Sequence, residues 1–172
     1  MSIQEQTYLL QAIIKRRGML CPAYEFLLDD KPVAVLKKKG LGSKAELTIG
    51  ARQWHIRLRG FRKNHIEIND IQYPALNTRC EGGRYFRLYF TLQNGKKFYF
   101  KRKSAWKSAW LWLDEYEQPV MEMKFVHFNF SCSGKVNFYQ PANGDLYFLM
   151  LLGWYRLLQY QAIVAASAGG AS

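Results

Sequence analysis

Leu146-Tyr147-Phe148-Leu149-Met150-Leu151-Leu152-Gly153-Trp154-Tyr155, followed by Arg156-Leu157-Leu158, decides how this chain folds. Asn143-Gly144-Asp145 reads as a turn with Asp145 as N-cap, so the pattern predicts a helix from Leu146, about five turns long, occupying about 145–166. Its first ten residues have no polar face. A helix that is apolar on every side has to be enclosed, in lipid or in a large protein core. Lipid needs roughly 20 apolar residues, and here Arg156, Gln159 and Gln161 interrupt the run. An arginine at mid-span costs about 2.5 to 3.5 kcal/mol on insertion scales. The chain's own sheet is therefore the expected enclosure, and residues 167–172 are expected to form a disordered tail.

Upstream, the sequence supplies such a sheet. Residues 7–15 fit helix or strand equally. From Tyr24 the period is two: Tyr24, Phe26 and Leu28 alternate with Glu25 and Leu27, Asp29-Asp30-Lys31-Pro32 turns, and Val33 to Leu36 returns into Lys37-Lys38-Lys39. Ala45, Leu47 and Ile49 form the next inward set. Arg52, Trp54, Ile56 and Leu58 then face away from Gln53, His55, Arg57 and Arg59, as in an antiparallel strand wet on one side. Short strands are expected at His65 to Asn69 and Ile71 to Pro74. Arg84 to Leu92 predicts one strand with Phe86, Leu88, Phe90 and Leu92 inward, and Asn94-Gly95 predicts a type I′ hairpin turn into Lys96 to Lys103. Trp110 to Asp114, Val120 to Phe125, Phe128 to Cys132 and Val136 to Tyr139 complete eleven or twelve short strands.

Even strand spacing with turn signals means a sandwich or barrel. An eight-stranded barrel fills with its own side chains, whereas about twelve strands leave a lumen that something must occupy. The expected fold is mainly β: a single domain, 1–172, in which a closed antiparallel barrel of about twelve strands encloses the C-terminal hydrophobic α-helix. About 13 residues of helix rise roughly 20 Å, close to the height of six-residue strands, which places the emergence of the helix near Arg156. The rival architecture is a seven-stranded pleckstrin-homology-like domain capped by an amphipathic helix.

Three stretches carry a resemblance to a known family. They are the Tyr24 to Lys38 hairpin with its acidic turn, Ala109-Trp110-Leu111-Trp112-Leu113-Asp114-Glu115 followed by Val120-Met121-Glu122, and Asp145-Leu146 leading into the leucine-rich helix. In this order they resemble the tubby-like superfamily, which includes tubby C-terminal domains, phospholipid scramblases and LURP-one-related proteins. The resemblance implies a closed barrel threaded by its helix and a non-catalytic lipid-binding role. Scramblases carry an acidic calcium-binding segment before the helix; Ser131 to Gly144 contains Lys135 and no acid. Calcium-dependent scrambling is therefore not implied.

Composition bears on partners. The 172-residue chain is 49% hydrophobic and 16% aromatic, and 25 Lys plus Arg against 13 Asp plus Glu give a net charge of +12. Such a charge concerns solubility and anionic partners rather than fold. The basic residues gather in two acid-free segments, Glu46 to Glu67 and Glu81 to Asp114. Outward Arg57, Arg59, Lys97, Lys101 and Lys103, with Tyr85, Tyr89 and Tyr99 between, are the candidate anionic-ligand residues. They suit a phosphorylated lipid headgroup; the alternatives are single-stranded nucleic acid, an acidic protein docked on a scaffold, or a solvated face.

Chemistry-bearing motifs are few. His55, His65 and His127 lack ligand spacing, so no metal or cofactor is expected. Asp29, Asp30, Asp114, Glu115 and Glu117 read as turn residues, and the sequence contains no nucleophile elbow, P-loop or GxGxxG, so no enzyme is expected. Cys132 reads as a core thiol, while Cys80, beside Glu81-Gly82-Gly83, is the candidate exposed thiol. Arg156 belongs either at the barrel mouth or against a buried carboxylate. Three widely spaced cysteines and an acidic Met1 to Leu10 without an apolar core predict a cytoplasmic monomer, peripheral to membranes where it binds lipid.

Overall fold

The computed structural model describes residues 8–39, 43–59, 65–104, 108–128 and 131–169; the side chains at 127–128 and 131–133, His127 and Cys132 among them, lie outside the description, as do Arg62, Lys63 and Lys107. Twelve strands run in chain order: β1 (Leu10–Arg17), β2 (Ala23–Leu28), β3 (Lys31–Lys39), β4 (Lys44–Ile49), β5 (Arg52–Arg59), β6 (His65–Asp70), β7 (Thr78–Gly82), β8 (Leu88–Thr91), β9 (Lys97–Arg102), β10 (Ala109–Asp114), β11 (Pro119–Phe128) and β12 (Ser131–Phe138). Each pairs antiparallel with its neighbours in sequence, and β1 closes on β12, Leu10 opposite Phe138 and Ile14 opposite Gly134. The result is a closed barrel with one helix, α1 (Gly144–Gly169).

Alternation decides what faces inward. Trp54, Ile56 and Leu58 are buried on β5, Ile66 and Ile68 on β6, Phe98 and Phe100 on β9. All of these pack with Leu149 to Leu152, Trp154, Tyr155 and Leu157, each fully buried, in one core. Burial on all sides is what an apolar helix requires, and the lumen of twelve strands supplies it. Trp154 stands edge-on to Tyr24 and Phe26 and tilted against Phe125. Its ring leaves no space for a side chain at position 134, so β12 carries Gly134 there.

Several boundaries differ from expectation for identifiable reasons. Of the ambiguous residues 7–15, Leu10 to Lys15 belong to a strand, β1; Thr7 lies outside the described residues. Asn143, not Asp145, caps the helix: its Oδ1 accepts from the Leu146 N–H at 3.0 Å and its carbonyl from the Tyr147 N–H at 2.9 Å. Ile71 to Pro74 is no strand, because Asp70 folds the chain back by accepting from the N–H groups of Gln72 and Tyr73, after which a 3-10 turn spans Pro74–Leu76. The seventh strand comes later, at Thr78–Gly82. Arg84 to Leu92 splits, since Tyr85 and Phe86 take left-handed φ of 57° and 63°. The strand there is confined to Leu88–Thr91. The Asn94-Gly95 turn has positive φ at Gly95 but not at Asn94, with the Gly95 N–H donating to Leu92 O, which makes it a type I turn closed by a glycine bulge. A true type I′ geometry occurs instead at Asp29-Asp30, φ 47° and 61°.

The helix enters at the base of the barrel, where β12 ends, and leaves through the opposite mouth. Leu158 is the last buried residue of the described chain; Gln159 to Gln161 are half-buried and Ala162 to Ala168 are exposed. Emergence thus comes three residues after Arg156, and helix continues to Gly169, through part of the stretch expected to be a tail. No helix among the described residues is long and apolar enough to cross a membrane.

Candidate functional site

Antiparallel up-and-down topology sends alternate connectors to opposite ends. Base connectors hold Asp29, Asp30, Glu115 and Glu117, the first turn of α1 beside them holds Asp145, and the adjoining strand ends hold Asp70 and Asp114. These are seven of the thirteen acids of the chain. The mouth receives the ends of β1, β3, β5, β7 and β9 and the starts of β2, β4, β6, β8 and β10. That end is basic.

Toward the mouth and along the wall, every described acid is already held by a cation: Glu25 by Arg17, Glu46 by Lys39, Glu67 by Arg57 and Arg59, Glu81 by Arg79, and Glu122 by Lys103 and Lys124. Lys37, Lys38, Lys44, Arg84, Arg87, Lys101 and Arg102 also stand near the mouth and form no ion pair among the described residues. Strand register crowds some of these charges. Lys39 lies opposite Lys44, and Lys44 opposite Arg57, a row of three cations across β3, β4 and β5. Directly opposed like charges destabilise a sheet. Among the described residues, only the flanking Glu46, 2.8 Å from Lys39, and Glu67, 3.1 Å from Arg57, relieve it.

The five residues expected to form the anionic site do not meet as one patch. Arg57 and Arg59 on β5 both engage Glu67, Lys103 engages Glu122, and β5 lies four strands from β9, roughly 19 Å along the wall at normal strand spacing. Lys97 begins β9 and so sits at the base. Lys101 and Lys103 belong to the mouth with Arg57 and Arg59. Lys37, Lys38 and Lys44 were not among the expected site residues, although a Lys-Lys-Lys run followed five positions later by Lys44 was the signal available for them.

Beside this collar, the β7–β8 connector (83–87) combines charge with backbone strain. Two consecutive non-glycine residues in the left-handed region, Tyr85 and Phe86, cost roughly 1–2 kcal/mol each. Tyr85 is 83% exposed between exposed Arg84 and Arg87. Phe86 turns inward, edge-on to Tyr160 of α1, and its ring carries the Arg156 guanidinium at 5.1 Å. Arg156 is only 6% exposed, has no carboxylate within ion-pair distance among the described residues, and its Nε lacks a hydrogen-bond partner. Burial holds its pKa below the usual arginine value. Arg156 thus stands at the mouth end of the barrel, the first of the two expected settings, but buried against Phe86; the second, a carboxylate partner, is absent among the described residues. Cys80 is fully buried, donates to Tyr89 O, and burial pushes its thiol well up, so it is not the exposed reactive group the sequence suggested. Cys21, beside Met19 and Leu20, is exposed.

At the base, a cavity of about 650 Å³ opens between β5, β6, β8 and the start of α1, floored by Trp54, Phe90 and Phe148. Its one cation, Arg52, is engaged: the guanidinium donates to Asp70 at 2.6 Å and lies over Trp54 at 4.9 Å. Burial raises the Asp70 pKa, but hydrogen bonds from Arg52 and from the Tyr73 and Gln72 N–H groups outweigh it and hold the carboxyl below the usual range. That pair closes the rim of the barrel rather than awaiting an anion. No three His, Cys, Asp or Glu among the described residues converge as metal ligands.

No protein-family model, curated protein or solved structure matches this chain. The site is therefore defined by its geometry: a cationic collar around the mouth from which the helix emerges.

Proposed function

We propose that this protein is a non-catalytic binding module, a distant tubby-like barrel, whose mouth collar holds anionic phosphate groups of phospholipid headgroups. The observation that carries the reading is the sorting of charge: seven acids at the base, and at the mouth seven cations that form no ion pair among the described residues. A solvated face needs only dispersed charge. A collar that keeps Lys39, Lys44 and Arg57 side by side retains a repulsion that an anion would relieve. The order of hairpins and the closed twelve-stranded barrel around a C-terminal helix support the tubby-like affiliation.

Vesicle co-sedimentation tests the function. Zwitterionic vesicles should leave the protein in the supernatant, vesicles containing phosphatidylserine or a phosphoinositide should pellet it, and raised salt should release it because the collar is solvent-exposed. An absence of pelleting at low salt, where attraction is strongest, would overturn the proposal. A gel shift with single-stranded DNA and RNA runs beside it; nucleic-acid binding without vesicle binding would assign the collar to that alternative.

A further inference from the structure

The emerging end of α1 is unusual for a helix in water. From Ala162 to Gly169 it has no charged residue, and its one polar side chain, Ser167, donates back to Ile163 O at 3.0 Å. Ile163 and Val164 are 52% and 48% exposed. A helix end surrounded by water normally shows a polar face. This one is apolar, and up to its last turn, whose four carbonyls have no donor within the helix, its backbone groups are satisfied internally, which is the condition for leaving water.

Two neighbours share the character. Met19 and Leu20, at the tip of the β1–β2 connector, are each 90% exposed, and Tyr85 projects from the strained β7–β8 connector. Topology places all of them at the mouth, amid the cationic collar. Exposed apolar residues also occur at the base, including Tyr73 and Tyr116, but there they stand among the acids. Lys31, Lys96 and Lys97 at the base also form no ion pair among the described residues, but seven acids outnumber the cations there; at the mouth the apolar projections stand where cations are in excess.

We infer that the mouth docks on the interface of an anionic bilayer, with Met19, Leu20, Tyr85, Ile163 and Val164 immersed and the collar at headgroup level. This rests on the reading of the collar as a binder of lipid phosphate. Nine residues of helix beyond Tyr160 rise about 13 Å, enough to reach the 5–10 Å depth at which interfacial segments lie. Charge complementarity selects a negatively charged surface. The aliphatic character of four of the five residues selects lipid over nucleic acid, since they offer no π-face on which a base could stack. The barrel axis then stands upright on the membrane, base outward.

The test uses a fluorophore on the native Cys21 in a Cys132→Ala background, with Cys80 protected by burial. A second labelled protein carries the probe at the base through Asn94→Cys with Cys21→Ser. With vesicles of phosphatidylcholine and phosphatidylserine, the Cys21 probe should shift to the blue and be quenched by lipid-borne spin labels, and the Asn94→Cys probe should not respond. Ile163→Asp with Val164→Asp, at exposed positions that fold independently of docking, should weaken co-sedimentation at least tenfold with no change in melting temperature. If vesicles pellet the protein while the Cys21 probe stays in water and the aspartate variant binds normally, the collar reading stands and immersion is overturned. Equal response at both probes overturns the upright orientation. If no vesicle pellets the protein at low salt, the collar reading itself fails.

Discussion

Gly153→Ala asks whether the central helix is pressed against the barrel wall. In an exposed helix this change stabilises, because alanine is favoured over glycine by about 0.8–1.0 kcal/mol. Gly153 is buried, and a Cβ there would stand 2.6 Å from Trp112 Nε1, 2.8 Å from Met123 Sδ and 3.1 Å from Phe100 Cε2. Trp112 and Phe100 are fully buried rings tilted on each other with centroids 5.0 Å apart, so neither can swing away, and fully buried Met123 has little room. Overpacking of this kind costs about 1–3 kcal/mol. The difference leaves Gly153→Ala destabilised by roughly 1 kcal/mol, a fall of about 2–4 °C in melting temperature for a chain of this size. Gly153→Val, larger and a poorer helix former, should fall further. Thermal melts followed by far-UV circular dichroism and by tryptophan fluorescence provide the measurement. An increase in melting temperature for Gly153→Ala would refute the packing, since propensity alone would then be acting.

Four further outcomes follow from the same geometry. Leu152→Asp should abolish soluble folded protein, because an unpaired carboxylate inside the barrel costs several kcal/mol; expression with an unchanged melt contradicts enclosure. Arg156→Met, which removes a buried cation with no carboxylate partner among the described residues while forfeiting the Phe86 ring contact, should raise stability by about 1–3 kcal/mol in urea titrations, and a lower midpoint would count against it. Asp70 and Glu122 both have pKa values held below the usual range, the first by Arg52 and backbone N–H groups and the second by Lys103 and Lys124, in each case against the opposing effect of burial. A depressed folded pKa contributes stability that is complete above the unfolded value near 4 and is lost as pH falls through the folded one. Melting temperature should accordingly hold above about pH 5 and drop below about pH 4, less steeply in Asp70→Asn. Finally, Lys37→Gln with Lys44→Gln should weaken anionic-vesicle binding about fivefold per residue, from about 1 kcal/mol per cation at the surface, whereas Lys97→Gln at the base should leave it unchanged; equal effects would show that net charge alone matters.

Fold class was written in local pattern. Ten apolar residues from Leu146 to Tyr155 demand enclosure whatever surrounds them, and the period-two alternation of Trp54, Ile56 and Leu58 fixes which side of β5 faces that helix. Both are short-range properties, so they are legible one segment at a time. Asp29-Asp30 and Gly95 likewise carry their turns within a few residues. What needed the tertiary structure was everything set by partners distant in sequence. The break at Tyr85 and Phe86 arises where Phe86 meets Tyr160 and Arg156, some seventy positions along, and no local propensity predicts left-handed φ at two aromatic residues. Cys80 reads as exposed beside two glycines, yet β7 pairs with β6 and β8 and turns it into the core. The candidate site shows the same division. That the surface is basic follows from composition. That Arg57, Arg59 and Lys103 are engaged by Glu67 and Glu122, that Lys97 lies at the opposite end, and that Lys37, Lys38 and Lys44 join Arg84 and Arg87 at one mouth follow only from strand register and barrel closure. Charge belongs to residues, but a binding surface belongs to the neighbours that closure brings together.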